Sequence, residues 1–197
     1  MNIHLAVLLE APRPGFVKTR LAAEIGQAQA VRVYRVIASR TLALIKALGR
    51  RATIWYAPAE AREEMRRWLG ADWDLRPQAS GDLGARFAAA AGAVERGGWW
   101  IGLGGDCPGL TPEILRQAFH ALDHHEVVLG PRQDGGYYLI GGTVPLPDIF
   151  SDMPWSTNRL LDETRSRLAG AGVVWAEVPA LRDVETAADA RATGLLT

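Results

Sequence analysis

Cysteine is nearly absent from this sequence. The 197 residues contain one, Cys107, which excludes an internal disulfide framework. Lysine is almost as scarce: only Lys18 and Lys46 occur, and the remaining basic residues are arginine. Neither sign of charge is in excess, because 22 Lys and Arg balance 22 Asp and Glu. A neutral chain lacks the bulk field that draws proteins to nucleic acid or anionic membranes, so neither is expected as a partner. Long apolar runs are missing too, and none approaches the roughly 20 residues that cross a bilayer. The stretch from Met1 to Glu10 has no basic leader, and its short apolar run is closed by an acid. That pattern predicts a soluble, cytoplasmic protein rather than an exported one.

What is present is ordinary globular material: 48% hydrophobic and 22% charged residues. A chain of this length buries a core without disulfides or structural metal, and we read residues 1–197 as one domain. Apolar runs alternate with amphipathic stretches. Ile3 to Leu9 has the continuous apolar pattern of a buried parallel strand. Gln27 to Leu48 has helical period, with Val31, Tyr34, Ile37, Ala38, Leu42 and Ile45 on one side. Further strands are expected at Ala52–Ala57, Trp99–Leu103, Glu126–Gly130, Tyr137–Ile140 and Val173–Val178. Further helices are expected at Ala59–Leu69, Asp82–Arg96, from Thr111 onward, Ser156–Leu168 and Glu185–Ala192. The alternation implies a three-layer α/β/α domain with a mostly parallel sheet. Ligands of such sheets bind beyond the carboxyl ends of the strands, which singles out the loops after them.

The loop 11–21 follows the first strand. Gly15 permits a tight turn, and Arg13, Lys18 and Arg20 supply three cations. Backbone amides with Lys and Arg suit a di- or triphosphate, although the P-loop spacing is absent. A solvated basic loop would read the same way. In 102–110 the glycines suggest a dinucleotide fingerprint, but Cys107 and Pro108 stand where its third glycine and helix start belong. What remains is Asp106, one acid at a strand end, either a Mg²⁺ ligand or a turn aspartate. Asp183 after the last strand is a second candidate ligand, or a residue of a helix start. The turn at Asp134, Gly135 and Gly136, followed by Tyr137, reads as a hairpin or as a contact for a substrate hydroxyl. The i, i+4 pair His120 and His124 has no supporting cluster for zinc, and Cys107 has no identifiable catalytic partner.

The ordered segments Pro14–Leu21, Gly81–Arg86, Gly105–Leu110, Gly130–Gly141, Phe150 with Trp155-Ser156-Thr157, and Asp183–Thr186 resemble one bacterial group. It is a set of small GT-A-type proteins, the radical-SAM/selenodomain-associated transferases. The group is similar to nucleotidyltransferases such as the molybdenum-cofactor and phospholactate guanylyltransferases. The resemblance covers nearly the whole chain and implies a GT-A (nucleotide-diphospho-sugar transferase) like fold. It implies a nucleotidyltransferase or glycosyltransferase that takes a nucleotide or nucleotide-sugar donor and a small-molecule acceptor. It also implies a divalent cofactor, Mg²⁺ or Mn²⁺, on Asp106 with Asp183. Gly15, Lys18 and Arg20 would take the nucleotide phosphates, with Lys18, Arg20 and Asp106 stabilising the reacting centre. Asp82, Gly84 and Arg86 would hold the base and ribose. Asp134, Gly135, Gly136 and Tyr137, with Trp155, Ser156 and Thr157, would face the acceptor. Glu10 departs from the group, standing where a lysine is expected. A non-catalytic nucleotide- or sugar-binding protein on the same fold is the alternative.

Overall fold

The structure is a computed structural model that describes residues 2–105 and 107–196. Seven strands form one sheet: β1 (Ile3–Glu10), β2 (Ala52–Ala57), β3 (Asp74–Pro77), β4 (Trp99–Gly104), β5 (Val127–Pro131), β6 (Tyr137–Thr143) and β7 (Trp175–Glu177). Their order is β3-β2-β1-β4-β6-β5-β7. All pairings are parallel except those of β6, which runs antiparallel to both β4 and β5. β5 and β6 are apolar almost throughout and almost wholly buried, as strands covered on both faces must be.

The helices are α1 (Thr19–Ile25), α2 (Gln27–Ala47), α3 (Arg62–Leu69), α4 (Leu83–Gly92), α5 (Pro112–Ala121), α6 (Leu160–Gly170) and α7 (Ala187–Ala192). Alternation along β1 assigns the layers. Ile3, Leu5, Val7 and Leu9 point to a cluster built with α2, α3 and α5. Ala6 and Leu8 point to the opposite cluster, built with Phe87, Ala90 and Ala91 of α4 and Leu160, Leu161 and Leu168 of α6. A smaller third cluster joins Leu21 of α1 and Val33 and Ile37 of α2 to Val184, Ala187 and Ala190. This is the expected α/β/α sandwich. Among the described residues no helix is long and apolar enough to cross a membrane.

The caps explain where several helices begin. The Asp82 carboxylate accepts from the Ala85 amide at 2.8 Å and starts α4. The Thr111 hydroxyl accepts from the Ile114 amide at 3.2 Å, with Pro112 at the first position of α5. Several elements differ from the sequence reading: β6 runs on to Thr143, β7 is only Trp175–Glu177, and α7 starts at Ala187. α1 and β3 were not expected as elements. α4 stops at Gly92, short of Arg96. α6 starts at Leu160 rather than Ser156, because Ser156 has φ +60° and the Thr157 hydroxyl accepts from the Arg159 amide.

Candidate functional site

Reversing β6 has a direct consequence for the site. The carboxyl ends of the six parallel strands and the amino end of β6 all lie along one edge of the sheet. A cleft of about 340 Å³ opens there. Its cations come from three segments: Lys18 and Arg20 after β1, Arg86 in α4 after β3, and Arg132 after β5. Its apolar wall is Leu8, Leu83, Phe87 and Tyr137, and Gly104 and Gly105 line it beside them. A Cβ at 105 would run into the end of the Leu9 side chain, which would have to move.

Lys18 is the most constrained of the cations. Its backbone is left-handed, with φ 47° and ψ 47°, a conformation that costs a non-glycine residue on the order of 1 kcal/mol. The geometry turns its side chain inward. Nζ donates to Asp183 Oδ1 at 2.8 Å and to Glu185 Oε1 at 3.4 Å. Asp183 Oδ1 also accepts from the Val184 amide at 2.6 Å, and Oδ2 accepts from Arg132 Nη1 at 3.1 Å. Arg132 is in turn held by Asp134, whose two oxygens accept from Nε at 3.1 Å and Nη2 at 2.8 Å. Lys18, Asp183, Arg132 and Asp134 therefore form an alternating chain of charges that ties three loops together. Such pairing is what makes burial of Lys18 and Asp183 tolerable.

Arg86 lies on the other side of the cleft. Its Nη1 donates to Gln78 Oε1 at 3.0 Å and stands 4.0 Å from Glu10 Oε1. Gln78 is fixed by its own Nε2, which donates to the carbonyls of Leu9 and Trp55 at 3.0 and 2.9 Å. Arg20 is exposed and makes no ion pair among the described residues. Arg13 turns away to Glu64, 2.7 Å from its Nε.

Of the residues singled out in the sequence, Lys18, Arg20, Arg86 and Tyr137 line the cleft. Asp183 meets it through Lys18 and Arg132. Gly15 turns the loop at φ +80° and stands outside the lining. Asp82 is the α4 cap. Gly84 is buried where α4 packs on the Phe150 carbonyl and the Trp155 indole, with no room for a Cβ. Asp134, Gly135 and Gly136 build the turn: Gly136 donates to Asp134 Oδ1 at 3.0 Å, and Gly135 has φ +88° against the Asn158 backbone. Trp155 meets Tyr137 edge-on at 6.2 Å, while Ser156 and Thr157 are exposed beyond it. Asp106, and with it the expected approach of its carboxylate to Asp183, lies outside the described residues.

Sequence reasoning missed Arg132, Gln78 and Glu185. Arg132 carried a signal, a cation directly after a buried strand, at the position where parallel sheets bind ligands. The other two carried none. Elsewhere His120 stands 3.3 Å from Asp123, and among the described residues no three His, Cys, Asp or Glu side chains cluster to hold an ion.

Burial pushes the phenols of Tyr137 and Tyr138 well above their ordinary range, that of Tyr138 with a further push from the nearby Cys107. Both stay protonated at any physiological pH. Tyr138 donates to the Pro179 carbonyl at 3.0 Å.

The architecture is that of nucleotide-handling transferases. A protein of Desulfovibrio desulfuricans G20, provisionally assigned as a nucleotide-diphospho-sugar transferase, superposes with a TM-score of 0.87 and 30% identity, covering 93% of this chain and 82% of its own. A nucleotidyl transferase of Methanothermobacter thermautotroptrophicus shares the fold at TM-score 0.65 and 17% identity, covering 98% and 96% of the two chains. A Mycobacterium tuberculosis H37Rv protein solved with manganese shares it at 0.57 and 18%, covering 96% and 97%. No curated protein sequence matches the chain. The profile of the bacterial family DUF2064, described as an uncharacterized protein conserved in bacteria, matches residues 41–157. With more than half its length matched by that profile and a relative at 30% identity across nearly all of it, the chain belongs to the DUF2064 family.

Proposed function

We propose that the protein is a metal-dependent transferase acting on a nucleotide-activated substrate. It moves a nucleotidyl group from an NTP, or a sugar from a nucleotide sugar, to a small-molecule acceptor. One observation carries this reading: Lys18 and Arg20, Arg86, and Arg132 converge from three separate segments on one cleft at the carboxyl edge of the sheet. An acceptor oxygen attacks phosphorus or the anomeric carbon, and pyrophosphate or a nucleoside diphosphate departs with the electron pair. Fixed cations stabilise the charge that grows on the phosphate oxygens. Lys18 and Arg20 are the residues for that role, on the loop that turns at Gly15. Asp82, Gly84 and Arg86 belong to the segment flanking the base and ribose. The Asp134–Tyr137 turn and Trp155–Thr157 flank the acceptor side.

The donor set suits Mg²⁺ or Mn²⁺ arriving with the nucleotide. Asp183 and Glu185 offer hard oxygen ligands beside Lys18, and Mg²⁺ is commonly held by one or two carboxylates plus substrate phosphates. Asp106 and Asp183 would hold the ion. When bound, the metal supplies Lewis-acid polarisation of the phosphoryl oxygens. The work of this chain is to seat the phosphates and keep the acceptor in line.

A thermal-shift panel of NTPs and nucleotide sugars, with and without Mg²⁺ and Mn²⁺, tests the reading, because a ligand of the native state raises its apparent stability. A metal-dependent rise is expected for at least one donor, and it should vanish in Asp106→Asn. Glu10, standing where a lysine is expected and facing Arg86, favours the second reading of a binding protein without turnover. Saturable binding with no product across the panel would select it.

A further inference from the structure

Three buried side-chain donors among the described residues have no hydrogen-bond partner: Trp100 Nε1, Tyr137 OH and Trp155 Nε1. They share one aromatic cluster. Phe87 meets Trp100 edge-on at 5.9 Å and Tyr137 at 6.3 Å, and Trp155 meets Tyr137 edge-on at 6.2 Å. Near-perpendicular rings give the indoles a neighbouring π-face, a weak but recurrent partner. Of the three residues, Tyr137 is the one that lines the cleft. It is 7% exposed. A buried hydroxyl with no acceptor is a standing cost to the fold, and proteins keep such groups where something else satisfies them.

We infer that Tyr137 is a specificity-determining residue, whose hydroxyl donates to an uncharged oxygen of the bound substrate, a hydroxyl or carbonyl, rather than to its phosphates. The inference rests on the proposed function and names the part of the ligand that this wall of the cleft reads. The surroundings decide between a neutral and a charged oxygen. Tyr137 shares its wall with Leu8, Leu83 and Phe87, where an unpaired charge would be costly, while Lys18, Arg20 and Arg86 stand on other segments and Arg132 of its own turn is already held by Asp134 and Asp183. The phenol stays protonated, so it is always a donor.

The position of the hydroxyl is fixed before any ligand arrives. Tyr137 directly follows Gly136, whose amide is tied to Asp134, and Asp134 also grips Arg132. One rigid turn therefore presents a cation for phosphate and, next to it, a neutral donor. Because the hydroxyl is already desolvated, a ligand that satisfies it gains more than a solvent-exposed contact would give. A ligand lacking the oxygen leaves the donor buried and unpaired.

The test compares wild type with Tyr137→Phe by calorimetric titration of GTP, CTP, UDP-glucose and pyrophosphate in the presence of Mn²⁺. Thermal unfolding is measured on both proteins. The expected result is an unchanged or higher unfolding midpoint, affinity about tenfold weaker for the nucleotide or nucleotide sugar that wild type binds best, and unchanged affinity for pyrophosphate. Equal affinity of both proteins for that ligand overturns the inference and leaves the proposed function standing. Equal weakening toward pyrophosphate overturns it as well, since the hydroxyl would then read phosphate. A clearly lower midpoint shows that the hydroxyl has a structural role and likewise overturns it. Failure of wild type to bind any probe overturns both readings.

Discussion

The ammonium of Lys18 and the carboxylate of Asp183 stand 2.8 Å apart, although 165 residues separate them in the chain. Their side chains are 3% and 6% exposed. The pair locks the loop after β1 to the loop after β7, and Arg132 on the second Asp183 oxygen brings in the β5–β6 turn. Losing one member of a buried pair costs up to about 3–5 kcal/mol where the other charge is left uncompensated. Glu185 remains on Lys18, so Asp183→Asn is expected to destabilise by less than that, about 1–3 kcal/mol, in urea unfolding. The double variant Lys18→Met, Asp183→Leu is expected to lose less than the two single losses combined. A neutral Asp183→Asn would show that the lock contributes nothing.

Arg20 offers a cleaner probe of the phosphate role than Lys18, because it is exposed and no ion pair would be broken among the described residues. Arg20→Ala should weaken nucleotide binding by about 1.5–3 kcal/mol, the range for hydrogen bonds to charged groups, and leave stability unchanged. Lys18→Ala should lose as much affinity and stability besides. Both losses should shrink for the bare nucleoside. Titration of matched nucleotide and nucleoside checks this, and equal losses for the two would point to general damage of the loop.

Gly84 is a packing position as the structure stands. A Cβ there would meet the Phe150 carbonyl oxygen and lie 2.5 Å from Cζ2 of Trp155. Gly84→Ala should therefore destabilise by about 1–3 kcal/mol, as overpacked sites do, despite the better helix propensity of alanine. The indole fluorescence of Trp155 should shift at the same time. Stabilisation by the substitution would mean that Trp155 moves aside freely.

The α7 capping box sets an acid limit. The hydrogen bond from the Thr186 hydroxyl, opposed by burial and aided by the Glu185 and Thr186 amides and the Arg182 charge, holds the Asp189 carboxyl below its usual range. Its contribution is thus fully present above the ordinary carboxylate value and is lost as pH falls through the depressed folded value. Asp189→Asn should cost about 1 kcal/mol near neutral pH, and the gap to wild type should close in strong acid. Urea midpoints across an acid pH series measure it. A gap that persists at the acid end would remove ionisation from the account.

The alternation of strands and helices was legible because β1, β4 and β5 are short, continuous apolar runs while α2 follows the helical period cleanly. The pieces that escaped lack those signals. α1 has no side-chain cap, since a left-handed lysine precedes it, and its arginine and lysine neighbours read as a loop. β3 spans four residues with one buried side chain, Leu75, too short for any period to show. In the site, Lys18 and Arg20 stood out by charge and position. The partnership of Lys18 with Asp183 did not, because it depends on which loops the strand order β1-β4-β6-β5-β7 brings together.

The small cluster around Leu21, Val33, Ile37, Val184 and Ala187 is distinct from the two that sandwich the sheet. Lys18 and Arg20 lie within one turn of Leu21, and Asp183 directly precedes Val184. Arg132, by contrast, stands at the turn between the almost wholly buried strands β5 and β6. Lys18 and Arg20 are thus anchored by the smaller cluster, whereas Arg86 and Arg132 rest on the sheet and its α4 side. Amide exchange should find α1 and α7 opening together, at a lower free energy than β5 and β6. Each such opening would strip the cleft of half its positive charge while the sheet stays folded, so the last helix of the chain helps set how long a phosphate is held.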